Sequence, residues 1–221
     1  VERSRGLGDV YKRQTLERGF GQYQLDAEVE HRHQLAGRPG AVRVTLFRNR
    51  GRFGRFDEVL ALAARTGDVA DTGLVRSRRT RAGIGINVEQ AASDTLGVFA
   101  RAGIADGQVE PYDFTDIDRT AQAGLSLRGA GWGRSGDTLG AVVIVNAISR
   151  DHQRYLDAGG LGVLVGDGRL PNPGAERIGE AYYKIAAARG VELTVDYQFI
   201  ANPGYNCLLY TSDAADEGLG V

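Results

Sequence analysis

The sequence is poor in several residue types, and each shortage narrows what the chain can be. It has no methionine, 1 cysteine, 1 tryptophan and 5 prolines in 221 residues. With Cys207 as the single cysteine, no disulfide framework can hold the fold together. No apolar run approaches the ~18 residues that a membrane-spanning helix requires. These shortages exclude a disulfide-rich module and a helical membrane protein.

The sequence also lacks an excess of charge of either sign. Lys and Arg number 27 against 28 Asp and Glu, which gives a formal net charge of −1. A nucleic-acid-binding domain shows a basic excess, or a basic stripe with aromatic residues between the charges. The composition therefore argues against a nucleic-acid partner and indicates no other.

Glycine, in contrast, is abundant, and it lies within segments of alternating polarity. The 32 glycines are about twice the usual share. In residues 96–104, one side carries Leu, Val, Ala and Ile, and the other carries Gly, Phe and Arg. Residues two apart share one face of a β-strand. About eight segments repeat this pattern, with a small apolar face and a polar opposite face. We therefore predict an all-β fold, an antiparallel up-and-down transmembrane β-barrel with an apolar exterior and a polar interior.

The lengths of the predicted connections support a barrel. They run short, long, short, medium, short, long, short, as expected for short turns at one rim and longer loops at the other. The long connection 49–77 has apolar residues at helical spacing and predicts a short helix over residues 57–64. The other, 149–174, is apolar enough that we expect it to fold back towards the interior or cap the mouth. Its apolar members are Tyr155, Leu156, Leu161, Val163, Leu164 and Val165.

Four stretches resemble the carbohydrate-selective porins of the OprB family. They are residues 100–107, 114–119, 158–168 and 196–206, and the last two are the most specific. The resemblance covers roughly residues 19–206, in the order of that family's C-terminal half. It implies a barrel of about sixteen strands in the Gram-negative outer membrane, with about eight present here. It also implies passive diffusion of small neutral sugars without catalysis or a cofactor.

The two ends of the sequence differ from the rest. Alternation stops at both ends, and residues 9–14 and 207–217 resemble peptides translated from sequencing-adapter DNA. The absence of methionine, even at position 1, predicts a piece of a longer reading frame. We therefore expect residues 1–14 and 207–221 to be adapter-derived and to lack regular strand pairing. Residues 15–206 are expected to form the C-terminal half of the barrel.

The polar faces supply the candidate residues for a sugar path. A pore that favours a neutral polyol offers hydrogen-bond donors and acceptors, and rings on which a sugar can slide. The donors are Arg79, Arg81, Arg101 and Lys184; the acceptors are Glu28, Glu89, Glu180 and Asp196; the rings are Phe99 and Tyr182. We expect Arg101 and Arg81 to form the constriction. Arg101 is expected to face Gly83 or Gly85, whose missing side chains leave room for its guanidinium.

Motifs for other chemistry are incomplete. His31 and His33 share a strand face without a third ligand nearby, so no metal site is predicted. Ser149, Asp151 and His152 are too close in sequence for a hydrolase triad. The short glycine motifs lack the third glycine of a dinucleotide site. Glu28 and Glu30 show no partition into acid and base, so glycosidase chemistry is not supported.

Other interpretations stay open. The pore could be general or anion-preferring, or the chain could be an outer-membrane barrel enzyme such as a lipase, although no suitable Ser/His pair is visible. A soluble β-sandwich would need larger inward residues than alanines such as Ala100 and Ala123. Outer-membrane lipid is an expected partner, and a homo-oligomer is possible.

Overall fold

The fold is one antiparallel sheet in a computed structural model that describes residues 21–111, 116–162, 170, 172–207 and 210–214. The strands are β1 (Tyr23–Leu35), β2 (Arg38–Phe53), β3 (Ser77–Ala91), β4 (Leu96–Ala105), β5 (Arg119–Gly129), β6 (Arg134–Ala147), β7 (Glu176–Ala188), β8 (Val191–Ala201) and β9 (Tyr210–Ala214). Each strand pairs with the next, in the order β1 to β9. Within the described residues β1 and β9 do not pair with each other, so the sheet is open. The predicted up-and-down topology is confirmed.

One face of the sheet is apolar and exposed. Leu25, Val29, Leu46, Val143 and Val195 are between 52% and 71% exposed. The register places Ala100, Ala123 and Val143 in one row across β4, β5 and β6. No second sheet covers this face in the described part of the chain, so a β-sandwich is excluded there. Period-two sequence places the apolar residues on this side of the pleat.

The two ends of the sheet differ in their connections. At what we call the short-turn end, the connections are residues 36–37, 92–95, 130–133 and 189–190. At the long-loop end they are residues 54–76, 106–118, 148–175 and 202–209. Gly37 and Gly190, with φ of 73° and 77°, permit the two tightest turns. The predicted alternation of short and long connections is confirmed.

Two helices lie in the long loops. Helix α1 spans Phe56–Thr66 and confirms the short helix predicted over residues 57–64. Helix α2 spans Arg150–Asp157 and was not predicted. The Ser149 side chain caps α2 by accepting a hydrogen bond from the His152 N–H, at 3.0 Å. No helix among the described residues is long and apolar enough to cross a membrane.

The long loops contain the buried core, because the sheet itself covers little apolar surface. One cluster of buried residues forms there, and its members are Phe56, Val59, Ala70, Ile148, Tyr155, Leu156, Leu170 and Tyr205. Phe56 and Val59 come from α1, and Tyr155 and Leu156 come from α2. The cluster therefore fixes the two helices against each other at the long-loop end.

The C-terminal part differs from expectation. Tyr210–Ala214 forms β9 and pairs with β8, from Tyr197 opposite Ala214 to Ala201 opposite Tyr210. The Cys207 N–H donates to the Asn172 carbonyl at 2.7 Å. The expectation that residues 207–221 lack regular pairing is wrong for this segment, because its backbone completes hydrogen bonds along the free edge of β8. Residues 1–14 lie outside the described residues.

Candidate functional site

All ten candidate residues lie on the polar face of the sheet. Residues paired directly across neighbouring strands point to the same side. One row of partners runs from Glu89 through Phe99, Gly124 and Val142 to Glu180. A polar surface thus extends across β3 to β7, opposite the apolar face.

A chain of hydrogen bonds crosses the first four strands on this face. Arg43 bonds Glu30 at 2.5 Å and Glu89 at 2.8 Å. Asn87 donates to Glu89 at 3.1 Å and accepts from the Nε of Arg101 at 3.2 Å. The charges of these strands therefore largely compensate one another.

Glu28 lies on the same face, where the hydroxyl of Thr45 donates a hydrogen bond to it at 2.8 Å.

The register between β3 and β4 determines what lies opposite Arg101. Arg101 pairs with Asn87, whereas Gly85 pairs with Gly103. The expectation that Arg101 faces Gly83 or Gly85 is wrong, because the short β3–β4 turn sets a register shifted from the one assumed.

Aromatic rings on the polar face lie against glycines of the neighbouring strand. A Cβ at Gly124 would meet the Phe99 ring at 2.6 Å, and one at Gly140 would meet the Tyr182 ring. Phe99 pairs directly with Gly124, and Tyr182 with Gly140. The Arg101 guanidinium lies 4.9 Å from the centre of the Phe99 ring. The missing side chains let each ring lie down on the sheet.

A third pair of this kind was missed in the sequence. Phe47 pairs with Gly83, and its ring occupies the place of a Cβ there. The alternation of β2 puts Phe47 on the polar side with Arg43 and Thr45, so its parity could have revealed it. Near the short-turn end, a pocket of about 490 Å³ is lined by Arg43, Glu89, Gly97, Phe99, Arg101 and Ser126, among others.

The remaining candidates lie on β7 and β8. Gln198 donates to Glu180 at 2.6 Å, and Lys184 bonds Glu192 at 3.1 Å. Tyr182 pairs directly with Asp196. The Oδ1 atom of Asp196 is buried and has no hydrogen-bond partner among the described residues. It is an acceptor available beside a ring.

Arg79 and Arg81 differ from Arg101 because folded loops engage them. Arg79 bonds Glu58 of α1 at 2.5 Å. Arg81 is only 8% exposed, and its Nη2 lies 2.8 Å from the Oδ1 of Asp118. Since both arginines stand on the polar face, these contacts place the long loops over that face.

Asp118 is the centre of a buried polar network. Besides Arg81, it accepts hydrogen bonds from the Ser149 N–H at 2.8 Å and contacts the Nδ1 of His152 at 3.1 Å. The other ring nitrogen of His152 lies 3.6 Å from Asp116. Asp118, Asp116 and His152 are each no more than 2% exposed. This network joins β3, the β4–β5 loop and α2.

Ionisation of Asp118 follows from these contacts. Burial alone would raise its pKa, but hydrogen bonds from His152, Ser149 and Arg81 hold the pKa below its usual value. Phe56 stacks on the His152 ring with centroids 4.5 Å apart. The His152 ring therefore contacts both the apolar cluster, through Phe56, and the polar network, through Asp118. Sequence reasoning missed Asp118 because its partners are distant along the chain.

The inward folding expected for residues 149–174 is confirmed for Tyr155 and Leu156, which are 3% and 0% exposed. Leu161 is 63% exposed, so the expectation is wrong for that side chain. Gly159, with φ of 86°, and Gly160 follow α2, and Leu161 extends beyond the packed cluster. Val163, Leu164 and Val165 lie outside the described residues.

The rejected motifs have other roles. His152 bonds Asp118 rather than Asp151, and the Ser149 hydroxyl donates to the Gly107 carbonyl. His31 and His33 stack with ring centroids 6.1 Å apart on the apolar side. Among the described residues, no group of three or more His, Cys, Asp or Glu is placed to hold a metal ion.

Comparisons with known proteins agree with this architecture. The family model described as "Carbohydrate-selective porin, OprB family" matches residues 8–219. A solved structure, the high-pH structure of Pseudomonas putida OprB, superposes with a TM-score of 0.69 at 17% sequence identity. The match covers 87% of this chain and 46% of that chain, so this chain spans about half of its length. No curated protein matches the sequence.

Proposed function

From the premise that this chain belongs to the OprB family of carbohydrate-selective porins, we propose that its polar face lines an outer-membrane pore through which small neutral sugars diffuse passively. The observation that carries the proposal is the arrangement of Phe99, Tyr182 and Phe47 flat against glycines, beside compensated charges. A pyranose has an apolar face that can contact a ring and hydroxyls that exchange hydrogen bonds with charged groups at its edge.

The charges of the face suit a neutral solute. Arg43 is compensated by Glu30 and Glu89, and Lys184 by Glu192. Paired charges supply donors and acceptors with a small net field. Asp196 adds a free acceptor atom beside Tyr182. A sugar moving along the face thus exchanges one set of hydrogen bonds for another, without a deep well that would hold it.

The long loops narrow this path. Helices α1 and α2 lie over the polar face, where Arg79 and Arg81 bind their loops. Arg101 contacts the solute directly, whereas Arg81 affects the aperture through the loops that it holds. The sequence led us to expect that Arg101 and Arg81 form the constriction together, and we now propose a separate role for each.

An anion-preferring pore is a second candidate, favoured by one observation. Within the described part of the chain, Arg101 forms no ion pair with a carboxylate, unlike Arg43, Arg79 and Arg81. A guanidinium without a directly paired carboxylate attracts anions in a pore, and salt screens that attraction over roughly 10 Å at 0.1 M.

Planar-bilayer recordings of the intact parent porin separate the two candidates. Arg101→Ala should raise single-channel conductance and weaken the block of ion current by added sugar. Arg177→Ala, which removes the same charge from the apolar face, is the matched control and should change neither. Sugar block that depends little on salt supports the sugar pore. Absence of sugar block in the unmodified protein, with anion selectivity lost in Arg101→Ala, would support the anion pore instead.

A further inference from the structure

The apolar face carries charges of one sign at the long-loop end. Six exposed arginines point outwards there from strands β2, β3, β5 and β7: Arg48, Arg50, Arg52, Arg78, Arg119 and Arg177. Their register shows the side on which they lie. Arg48 pairs with Leu25, Arg119 with Ile104, and Arg177 with Val145. At this end, no Asp or Glu faces outwards from the described strands β1 to β8.

These arginines have few partners within the protein. Five of them form no ion pair and no side-chain hydrogen bond with another described residue: Arg48, Arg50, Arg52, Arg119 and Arg177. Five guanidinium groups, each with five donors, therefore face the surroundings of the barrel. A like-charged cluster of this kind is repulsive until an anion neutralises it.

The short-turn end provides the contrast. Its outward arginine on β2, Arg38, bonds Asp94 at 2.6 Å. Arg134 is paired with Asp137, whose carboxylate also accepts from Tyr183 at 2.7 Å. Arg38 and Arg134 at the short-turn rim thus have carboxylates of the protein as partners, whereas Arg48, Arg50, Arg52, Arg119 and Arg177 at the long-loop rim have none among the described residues.

The spacing of the two rims matches a membrane. Arg38 and Arg48 are about ten residues apart on β2, with Val42, Val44 and Leu46 facing outwards between them. At about 3.3 Å per residue and a tilt of about 40°, this separation spans roughly 25 Å, the height of the apolar band of an outer-membrane barrel. The unpaired arginines therefore lie at one headgroup layer and the paired ones at the other.

We propose that the five unpaired outward arginines of the long-loop rim bind the phosphate groups of phosphorylated glycolipid in the facing membrane leaflet. Guanidinium and phosphate form bidentate charge-assisted hydrogen bonds. The long aliphatic stems lie along the apolar surface while the charged heads reach the headgroup layer. The ligand is lipid rather than free phosphate, because its acyl chains cover the apolar band directly below the charges.

The test measures binding of purified lipopolysaccharide to the detergent-solubilised porin. Each basic residue near an anionic surface strengthens binding on the order of fivefold, so the triple variant R48Q/R50Q/R52Q should bind about a hundredfold more weakly. R38Q, which removes an outward arginine of the other rim, is the matched control and should bind as the unmodified protein does. Retained β-sheet circular dichroism and sugar block in phosphatidylcholine bilayers establish that the triple variant is folded.

The source of the anion is tested with the same protein. Lipopolysaccharide freed of its phosphates by phosphatase should bind the unmodified protein as weakly as the triple variant binds the phosphorylated lipid. Inorganic phosphate should not compete at concentrations equal to that of the lipid. Equal lipid binding by the triple variant, or binding unaffected by phosphatase, would overturn the proposal. Loss of sugar block with intact lipid binding would instead contradict only the proposed function.

Discussion

The two ends of the sheet differ in how they satisfy buried and charged groups. The long-loop end buries an apolar cluster around Phe56 and Leu156, with Asp118 tying three elements together. The short-turn end has no comparable cluster among the described residues, and its buried carboxylate, Asp137, holds Arg134 and Tyr183. One end is built like the core of a globular protein and the other like the rim of a barrel. Substitutions at matched positions should therefore act on the pore aperture at one end only.

Removing Asp118 should have the largest effect. Asp118→Ala leaves Arg81 buried without its carboxylate, which costs about 3–5 kcal/mol of loop stability. We expect amide hydrogen exchange of α1 and α2 to accelerate and the open-channel current to become noisier. Asp137→Ala, at the other end, should leave exchange in both helices unchanged. Unaltered protection of α1 and α2 in Asp118→Ala would show that the network does not hold the loops.

Truncating the apolar cluster should rank next. Leu156→Ala opens a cavity at a residue that is 0% exposed and costs about 2–5 kcal/mol. Limited proteolysis should then cut within residues 148–162 faster. Val143→Ala is the control: it also truncates an apolar side chain, but at an outward residue that is 62% exposed and belongs to no buried core. Equal proteolysis of both variants would mean that the cluster contributes nothing beyond the sheet.

A methyl group under the Phe99 ring should have a smaller effect. In Gly124→Ala the new Cβ would lie 2.6 Å from the ring and 2.6 Å from the Ala141 carbonyl, at a cost of about 1–3 kcal/mol. Displacement of the ring should weaken sugar block in bilayer recordings. Gly179→Ala is the control, since it pairs with Val143 on the apolar face and no atom lies within 4 Å of a Cβ there. Sugar block unchanged in Gly124→Ala would remove Phe99 from the path.

Acidification should give the smallest of these effects at the long-loop end. Because the pKa of Asp118 is lowered by folding, its stabilisation is fully present above the ordinary value of about 3.9 and is lost as the pH falls through the lowered pKa. Protease accessibility of α2 should therefore stay constant from neutral pH to about pH 4 and rise below it. Asp118→Asn should abolish this step, and a step of the same size in that variant would assign it to another group.

The strands of the sheet could be predicted from the sequence, because the alternation of polar and apolar residues that defines them is local. Period-two alternation determines which side of the sheet Phe99, Arg101 and Glu180 occupy, and the register then aligns them. Register itself was less predictable: a shift along β3 placed Arg101 opposite Asn87 rather than a glycine. This pairing depends on the geometry of the turn at residues 92–95, which the alternation of polar and apolar residues does not specify.

The long-loop end could not be predicted, because its contacts join distant segments. Asp118 binds Arg81, 37 residues away, and His152, 34 residues away. Helix α2 has eight residues, mostly polar, and only Tyr155, Leu156 and His152 are buried. Such a short segment becomes helical when a tertiary partner such as Phe56 is present, since isolated helices of this length are unstable.

The unequal rims also have a consequence for biogenesis. An arginine at the bilayer midplane costs about 2–4 kcal/mol, whereas near the interfaces the cost falls to about 0–1 kcal/mol. A barrel that enters with its long-loop rim leading has to carry Arg48, Arg50 and Arg52 through the hydrocarbon, together with the folded loops. Unassisted insertion along that route is therefore slow, and a thinner or locally defective bilayer shortens the passage. Once across, the same barrier slows retreat, so the charges that delay entry also hold the inserted barrel in place.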